Sequence, residues 1–405
     1  MKRVIVLLCV VVLLLGVCAC GNDMMEMGGM PILPESPAIE ATPEPEYTVE
    51  ARLIGIALPG RELARWNRDG EALAEQLQSR NYIVKLCYAG EGEIAAQQDQ
   101  IKDMVDHGCE LLVIAAEEEA ALWDTLDYAQ AHGVPVIAYD RPLNHAGTDY
   151  FLSFNNYEVG RMQGSYLLEA LDVNNQPGSF RVELFGGAAN DGNTDALYAG
   201  AMEVLQPYIE LGKLVVPSGQ TALEDIKMSG WEEELAYARM CELLAPPAAI
   251  TTESVGTMPA ADAATEGEPQ NEPPAVQRID AVLAPNDQLA AGIIRALSEF
   301  GYTAADFPLV TGQDCDIEAV QRIINGYQGM SVFKDTRLLA AQTVKVVDTM
   351  FSSKPLDMNA VYILPGTEIA INAYYCTPVL TTRSNYETVL LHSSYYTEDE
   401  LRGPD

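Results

Sequence analysis

Six short polar clusters carry the chemistry of this 405-residue chain: Arg65-Trp66, Asp140-Arg141, Asn190-Asp191-Gly192-Asn193, Asn286-Asp287, Gln313-Asp314 and Lys334-Asp335. Together they supply carboxylates, carboxamides and a few fixed cations. A ligand hydroxyl both donates and accepts, so Asp and Asn take its proton while Arg, Lys and Asn supply donors. Trp66 and Trp231 add flat apolar faces on which the C–H groups of a pyranose ring pack. The set suits an uncharged, hydroxyl-rich ligand such as a neutral sugar. Such a ligand is tolerated in a buried site only when nearly every hydroxyl is matched. The third tryptophan, Trp123, is expected mid-helix in a hydrophobic setting.

Each cluster also has a plainer reading. Asp140-Arg141 could be a surface ion pair, Asn286-Asp287 and Asn193 could cap the helices that follow them, Trp66 could be core packing, and Gln313-Asp314 could be a turn. A glycosidase is a further alternative, with Asp140, Asp287 and Asp314 supplying the carboxylate pair. Against it, each of these Asp residues has a cation or carboxamide beside it in sequence, where a catalytic acid needs an apolar surround. His107, His132, His145 and His392 form no cluster, and no Gly-x-Ser-x-Gly, His-Glu-x-x-His or Walker-type phosphate loop occurs. The sequence calls for no cofactor and no metal.

The elements that must position these clusters alternate. Short apolar runs at 53–58, 82–88, 111–114 and 135–139 read as strands, with helices over 66–80, 94–107 and 120–132 between them. A second series begins after Asn155, with helices at 157–170, 194–206 and 231–244 and strands at 180–185 and 214–217. It resumes with strands at 279–283, 308–311 and 330–333, helices from 287 and 317, a helix over 338–350 and short strands near the C-terminus. Apolar strands alternating with helices predict parallel sheets covered on both faces. The expected fold is α/β, two doubly wound parallel-sheet lobes. Ligands of open α/β sheets bind beyond the carboxyl ends of the strands, where the six clusters fall.

Composition sets the compartment. With 48% hydrophobic and 20% charged residues the chain has the make-up of a folded globular protein, and its net charge of −35 repels phosphate backbones and anionic lipid headgroups. Nucleic acid is not an expected partner. Met1-Lys2-Arg3 followed by an apolar run from Val4 to Val17 has the layout of an export signal over 1–19, too short for a comfortable membrane span. The plainer reading is an ordinary secretory peptide with incidental cysteines. Residues 20–50, rich in Met, Pro and Glu, read as a disordered acidic tether. Residues 246–277, rich in Ala, Pro, Glu and Thr, read as a surface insertion. Cys87, Cys109, Cys241, Cys315 and Cys376 match no zinc spacing and are read mainly as structural thiols.

The stretches Ala64-Arg65-Trp66, Val136 to Arg141, Phe154-Asn155-Asn156, Glu183 to Gly187, Gly312-Gln313-Asp314 and Phe333 to Arg337 resemble the bacterial type I periplasmic sugar-binding proteins, within them the multiple-sugar and xylose-binding branch. The likeness runs from about Arg52 to Leu401. It implies two lobes joined by a three-strand hinge, with residues 51–154 and about 334–356 in the first lobe and 155–333 and about 357–400 in the second. It implies that Trp66 and Trp231 sandwich a sugar ring, that Arg65, Asp140 and Arg141 hold hydroxyls from the first lobe, and that Asn193, Asn286 and Asp314 do so from the second, with Lys334 reaching in from a crossover. Asp191 and Asp287 are further candidates. Where the family tends to read Gly-Gly-Ser-Pro-Asp-Asp-Asn-Asn, this chain has Ala188-Ala189 after Gly186-Gly187 and Gly192 in place of an Asn. The ending Val17-Cys18-Ala19-Cys20 resembles a lipobox, which implies acylation of Cys20 and contact with the membrane through that lipid alone. The expected ligand is a monosaccharide, the expected partners are the permease subunits of an ABC transporter, and the expected state is a monomer. A sensor that presents its closed form to a chemoreceptor or histidine kinase is the alternative output. A Lac-type repressor would need a basic helix-turn-helix where this chain has an apolar signal and acidic tether.

Overall fold

The computed structural model describes residues 51–90, 92–245, 278–352 and 355–402; the expected export signal, Cys20, the tether and the 246–277 insertion lie outside them. The first lobe begins with β1 (Leu53–Leu58), α1 (Ala64–Gln78), β2 (Ile83–Tyr88), α2 (Ile94–Asp106), β3 (Leu111–Ile114), α3 (Trp123–Ala131), β4 (Val136–Tyr139) and β5 (Tyr150–Phe154). The second continues with α4 (Asn156–Ala170), β6 (Phe180–Leu184), α5 (Asn193–Glu210), β7 (Leu214–Val215), α6 (Leu223–Ile226), α7 (Glu233–Leu244), β8 (Ala281–Leu283), α8 (Asp287–Glu299), β9 (Leu309–Val310), α9 (Ile317–Asn325) and β10 (Met330–Phe333). The chain then returns through α10 (Thr336–Met350), β11 (Ala360–Ile363) and β12 (Ala370–Cys376), and closes with β13 (Val379–Thr382) and α11 (Glu398–Arg402).

The first sheet has seven strands in the order β11-β12-β5-β4-β3-β1-β2, parallel except for β11 against β12. Both of its faces are apolar, as strands covered on two sides require. Ile54, Ile56 and Leu58 of β1 pack on one side with Val113, Ile137, Leu152 and α10, while Ala57, Leu112, Ile114 and Ala138 pack on the other with Ile101, Met104 and Leu126. The second lobe holds a four-stranded parallel sheet, β7-β6-β8-β9, and the pair β10-β13.

Three expectations change. Tyr150–Phe154, unassigned in the sequence, is a strand paired to both β4 and β12. The stretch after 357, expected in the second lobe, first adds β11 and β12 to the sheet of the first, and only from Val379 onward does the chain pair with second-lobe β10. Ile371 and Ala373 alternate into one face of the first-lobe core and Cys376 buries on the other, and the pairing of β12 with β5 decides the assignment. Trp123 is 47% exposed at the start of α3, with the His145 ring 6.3 Å away, and is not in a hydrophobic setting. Among the described residues the chain thus passes between lobes three times, at 154–156, 333–336 and 376–379.

Candidate functional site

The cleft between the lobes is lined by the ends of β1, β4 and β5 on one side and of β6, β8 and β9 on the other. Helix α1 delivers Arg65 and Trp66 on its first turn, and both are buried. Arg65 is the hub. Its Nη2 donates to Asp140 Oδ1 at 2.8 Å, its Nε to Asp69 Oδ2 at 3.2 Å, and its Nη1 crosses the cleft to Asp314 Oδ1 at 3.2 Å. Lys334, on the second crossover, places Nζ 3.0 Å from the same Asp314 oxygen. Burial works against the Arg65 charge, but Asp140, Asp69 and Asp314 outweigh it and raise its pKa well above the usual value. Burial likewise pushes the Asp140 carboxyl up, and Arg65, Lys334 and Arg141 more than reverse this, holding it below the ordinary carboxylate range.

Two of these carboxylates come from strained backbone. Asp140 (φ 60°) and Asp314 (φ 93°) lie in the left-handed region, which side-chain-bearing residues avoid at about 1–3 kcal/mol each. Asp140 directly follows β4, Asp314 lies in the turn after β9, and both carboxylates line the cleft.

A second set of bonds closes the other side. Arg141 pairs its Nε with Asp191 Oδ2 across the cleft at 2.9 Å, and its Nη1 donates to Ala116 O at 2.7 Å. Asp191 also accepts from Trp231 Nε1 at 3.2 Å and from the Asn193 backbone N–H at 2.9 Å. Asn193 Nδ2 donates across the lobes to Asp140 O at 3.1 Å. Asn286 does what a capping residue does, accepting from Leu289 N at 2.9 Å, and lines the cleft as well. Gly187 lets Trp231 lie where it does: a Cβ there would stand 2.6 Å from the indole Cη2. Beyond the cleft Arg68 reaches Asp316 of the other lobe at 3.2 Å.

The structure brings Arg65, Trp66, Asp140, Arg141, Asp191, Asn193, Trp231, Asn286, Asp314 and Lys334 to one cavity, with about 340 Å³ of empty space. Asp287 is not there. Its carboxylate turns beneath the cleft floor, accepting from Gln328 Nε2 at 2.7 Å, Ser331 Oγ at 2.9 Å and Asp316 N at 3.1 Å. Gly312 makes room for it, since a Cβ at that position would meet Asp287 Oδ1 at 2.1 Å. Burial, followed by the charge of Asp316, raises its pKa to about 8.

Two further polar residues line the cavity without having been singled out as ligand-holding. Gln313 is buried with its Oε1 unpartnered, and Asn156 is buried with one long bond to Ser153. Asn156 was legible in principle as a strand-end residue, but only once β5 is recognised. Trp66 Nε1 is also buried without a partner. Among the described residues all five cysteines are free, and no three metal-ligating side chains meet.

The arrangement is a narrow chamber of matched charges and carboxamides whose lining includes two indoles, with donors and acceptors from both lobes. A model of the periplasmic binding protein domain matches residues 54–276 and 270–355. The multiple sugar-binding periplasmic receptor ChvE of Rhizobium radiobacter is 36% identical over 361 residues, 88% of this chain and 94% of the receptor. The D-xylose-binding periplasmic protein of Escherichia coli is 28% identical over 86% of this chain and 92% of its own length. Among solved structures, an ABC transporter solute-binding protein from Clostridium phytofermentans with bound β-D-glucose superposes with a TM-score of 0.75 at 38% identity, covering 86% of this chain and all of that one. With this fold, this cleft and these matches, the chain belongs to the periplasmic binding protein family.

Proposed function

We propose that this protein is the extracytoplasmic sugar receptor of an ABC-type uptake system, capturing an aldopyranose such as glucose, galactose, xylose or arabinose between its lobes. The observation that carries the reading is the cleft itself, in which Arg65, Asp140, Asp314 and Lys334 meet Arg141, Asp191, Asn193 and Asn286 between Trp66 and Trp231. ChvE, a sugar-binding receptor by name, and the glucose-bound Clostridium protein support the same ligand class.

In this reading the sugar ring lies between the two indoles and its hydroxyls take over bonds that the cleft residues make with one another. Arg65, Asp140 and Arg141 serve from the first lobe, Asn193, Asn286 and Asp314 from the second, and Lys334 from the crossover. Sugar contacts both lobes only when they are closed, so it shifts the population toward the closed form that a permease recognises. Cys20, outside the described residues, carries the lipid that holds the receptor at the membrane, and the protein works as a monomer. The reaction needs no covalent step, and Asp140, held ionised by three cations, is ill suited to act as a catalytic acid.

Thermal melting of the full chain against a panel of aldoses tests this. A ligand that binds only the folded state stabilises it by about 2.7 kcal/mol at a hundredfold excess over Kd. One or more aldoses are expected to raise the Tm, and Trp231→Ala is expected to abolish that rise. No shift with any monosaccharide refutes the reading.

A further inference from the structure

Two arginines one turn apart on α1 cross to the second lobe side by side. Arg65 reaches Asp314 and Arg68 reaches Asp316, each at 3.2 Å. Their settings differ. Arg65 and Asp314 line the sugar cavity, so a sugar hydroxyl competes for their polar groups. Arg68 and Asp316 stand outside that lining, with side chains 23% and 19% exposed. A ligand held in the cavity leaves this outer pair in place.

Arg68 meets a surface that the second lobe and the second crossover hold fixed. Its guanidinium carbon lies 5.2 Å from the ring centroid of Tyr396 and 6.0 Å from that of Tyr395, within cation–π reach. Tyr396 is buried and donates its hydroxyl to Cys315 O at 2.9 Å, beside Asp316 in the chain. Tyr395 packs on Phe333 of β10 with ring centroids 4.6 Å apart, and its hydroxyl is 3.2 Å from Thr336 Oγ1 at the start of α10. Arg337 donates to the carbonyl oxygens of Ser393 and Ser394 at 3.2 and 3.0 Å and so ties down the same segment. Burial and then the charge of Asp314 push the Asp316 carboxyl up, and Arg68 works against both. Parting the lobes would take from Asp316 the cation that faces it.

We infer that Arg68 is a closing latch: its contacts with Asp316, Tyr395 and Tyr396 join the lobes outside the sugar cavity and raise the affinity for every ligand by the same factor. The inference rests on the sugar-receptor reading and assigns affinity to a residue that does not touch the ligand. Apparent affinity scales with the population of the closed form. Bonds from the cavity residues choose among sugars, whereas Arg68 acts on the closing equilibrium that all of them share.

Calorimetric titration with glucose, galactose, xylose and arabinose tests it, using the full chain as wild type, Arg68→Met, Asp316→Asn and the double variant. Met keeps an unbranched apolar stem and removes the charge and the donors. Each single substitution is expected to raise the Kd of every aldose that binds by one common factor, about tenfold. The double variant is expected to bind within about twofold of the weaker single one, because both changes remove the same contact. Urea unfolding of the unliganded variants is expected to keep the wild-type midpoint. An unchanged Kd, whatever the urea midpoint, overturns the latch and leaves the receptor reading standing. Factors that differ by more than about threefold among the aldoses place Arg68 on the ligand and overturn it too. Full additivity in the double variant has the same force. A wild type that binds no aldose sinks the receptor reading and the latch with it.

Discussion

Replacing Gly192 by Ser puts a side chain into the seam between the lobes without altering the sugar chamber. A Cβ at position 192 would stand 2.7 Å from Pro142 Cγ and 2.7 Å from Glu119 Oε2, both on the opposite lobe. Ordinary contact begins near 3.4 Å, so one or both neighbours must retreat. Glu119 can swing, but the Pro142 ring has little freedom, and overpacking of this kind costs about 1–3 kcal/mol. The cost falls on the closed form alone. Gly192 has φ −61° and ψ −12°, open to any residue, and it stands at the N-cap of α5, where Ser is preferred. The fold should therefore be unaffected and the closing equilibrium shifted. Since apparent affinity scales with the population of the competent state, sugar Kd should rise about 5- to 150-fold. Titration calorimetry measures that change, and a urea melt of the unliganded protein checks that stability moves by less than about 0.5 kcal/mol. A Kd within twofold of wild type, at unchanged stability, refutes closure as the step that sets affinity.

Two further outcomes follow from the same cleft. Arg65→Ala leaves Asp69, Asp140 and Asp314 facing one another in a buried site; stability should fall by about 3–5 kcal/mol in urea unfolding and sugar binding should vanish. Asp287 has a folded pKa near 8, well above that of an unfolded Asp, so it favours folding less as pH rises between about 4 and about 8 and adds no further change above that. Wild type should therefore lose stability relative to Asp287→Asn from pH 5 to pH 8, with the gap constant above about 8. A gap that does not vary with pH contradicts the assignment.

The strands that read clearly from sequence were those with two apolar faces. Leu53–Leu58 and Leu111–Ile114 stand out because every position from Ile54 to Leu58 and from Leu111 to Ile114 is buried, and their ends place the functional clusters. Tyr150–Phe154 did not stand out. It follows β4 after a ten-residue loop with no helix between them, so the strand-helix alternation that revealed the others was missing. The return of β11 and β12 to the first sheet was illegible for a different reason: order within a sheet is set by long-range pairing, here Asn372–Cys376 with Tyr150–Phe154, and no local pattern encodes it. Of the candidate residues, Asp287 is the instructive one. Beside Asn286 it looks like a cleft carboxylate, yet as the first residue of α8 it turns under the floor, toward Gln328 and Ser331. Neighbours in sequence at a helix start point in different directions, so adjacency to a site residue says little about which side chain faces the ligand.

The chain carries a net charge of −35, yet its cleft is balanced: Arg65, Arg141 and Lys334 stand against Asp140, Asp191 and Asp314. That balance has a consequence for specificity. Each of the six is already paired, so a ligand hydroxyl contributes only the difference between the bond it makes and the one it displaces. A sugar that matches every group loses little in the exchange. One that lacks a hydroxyl separates a buried charge from its partner and leaves it facing nothing, a penalty larger than the missing bond alone. In the proposed binding mode, discrimination among aldoses therefore arises from the groups a wrong sugar leaves unpaired. The penalty is steepest at Asp314, which Arg65 and Lys334 both engage and which reports at once on the first lobe, the crossover and the second lobe.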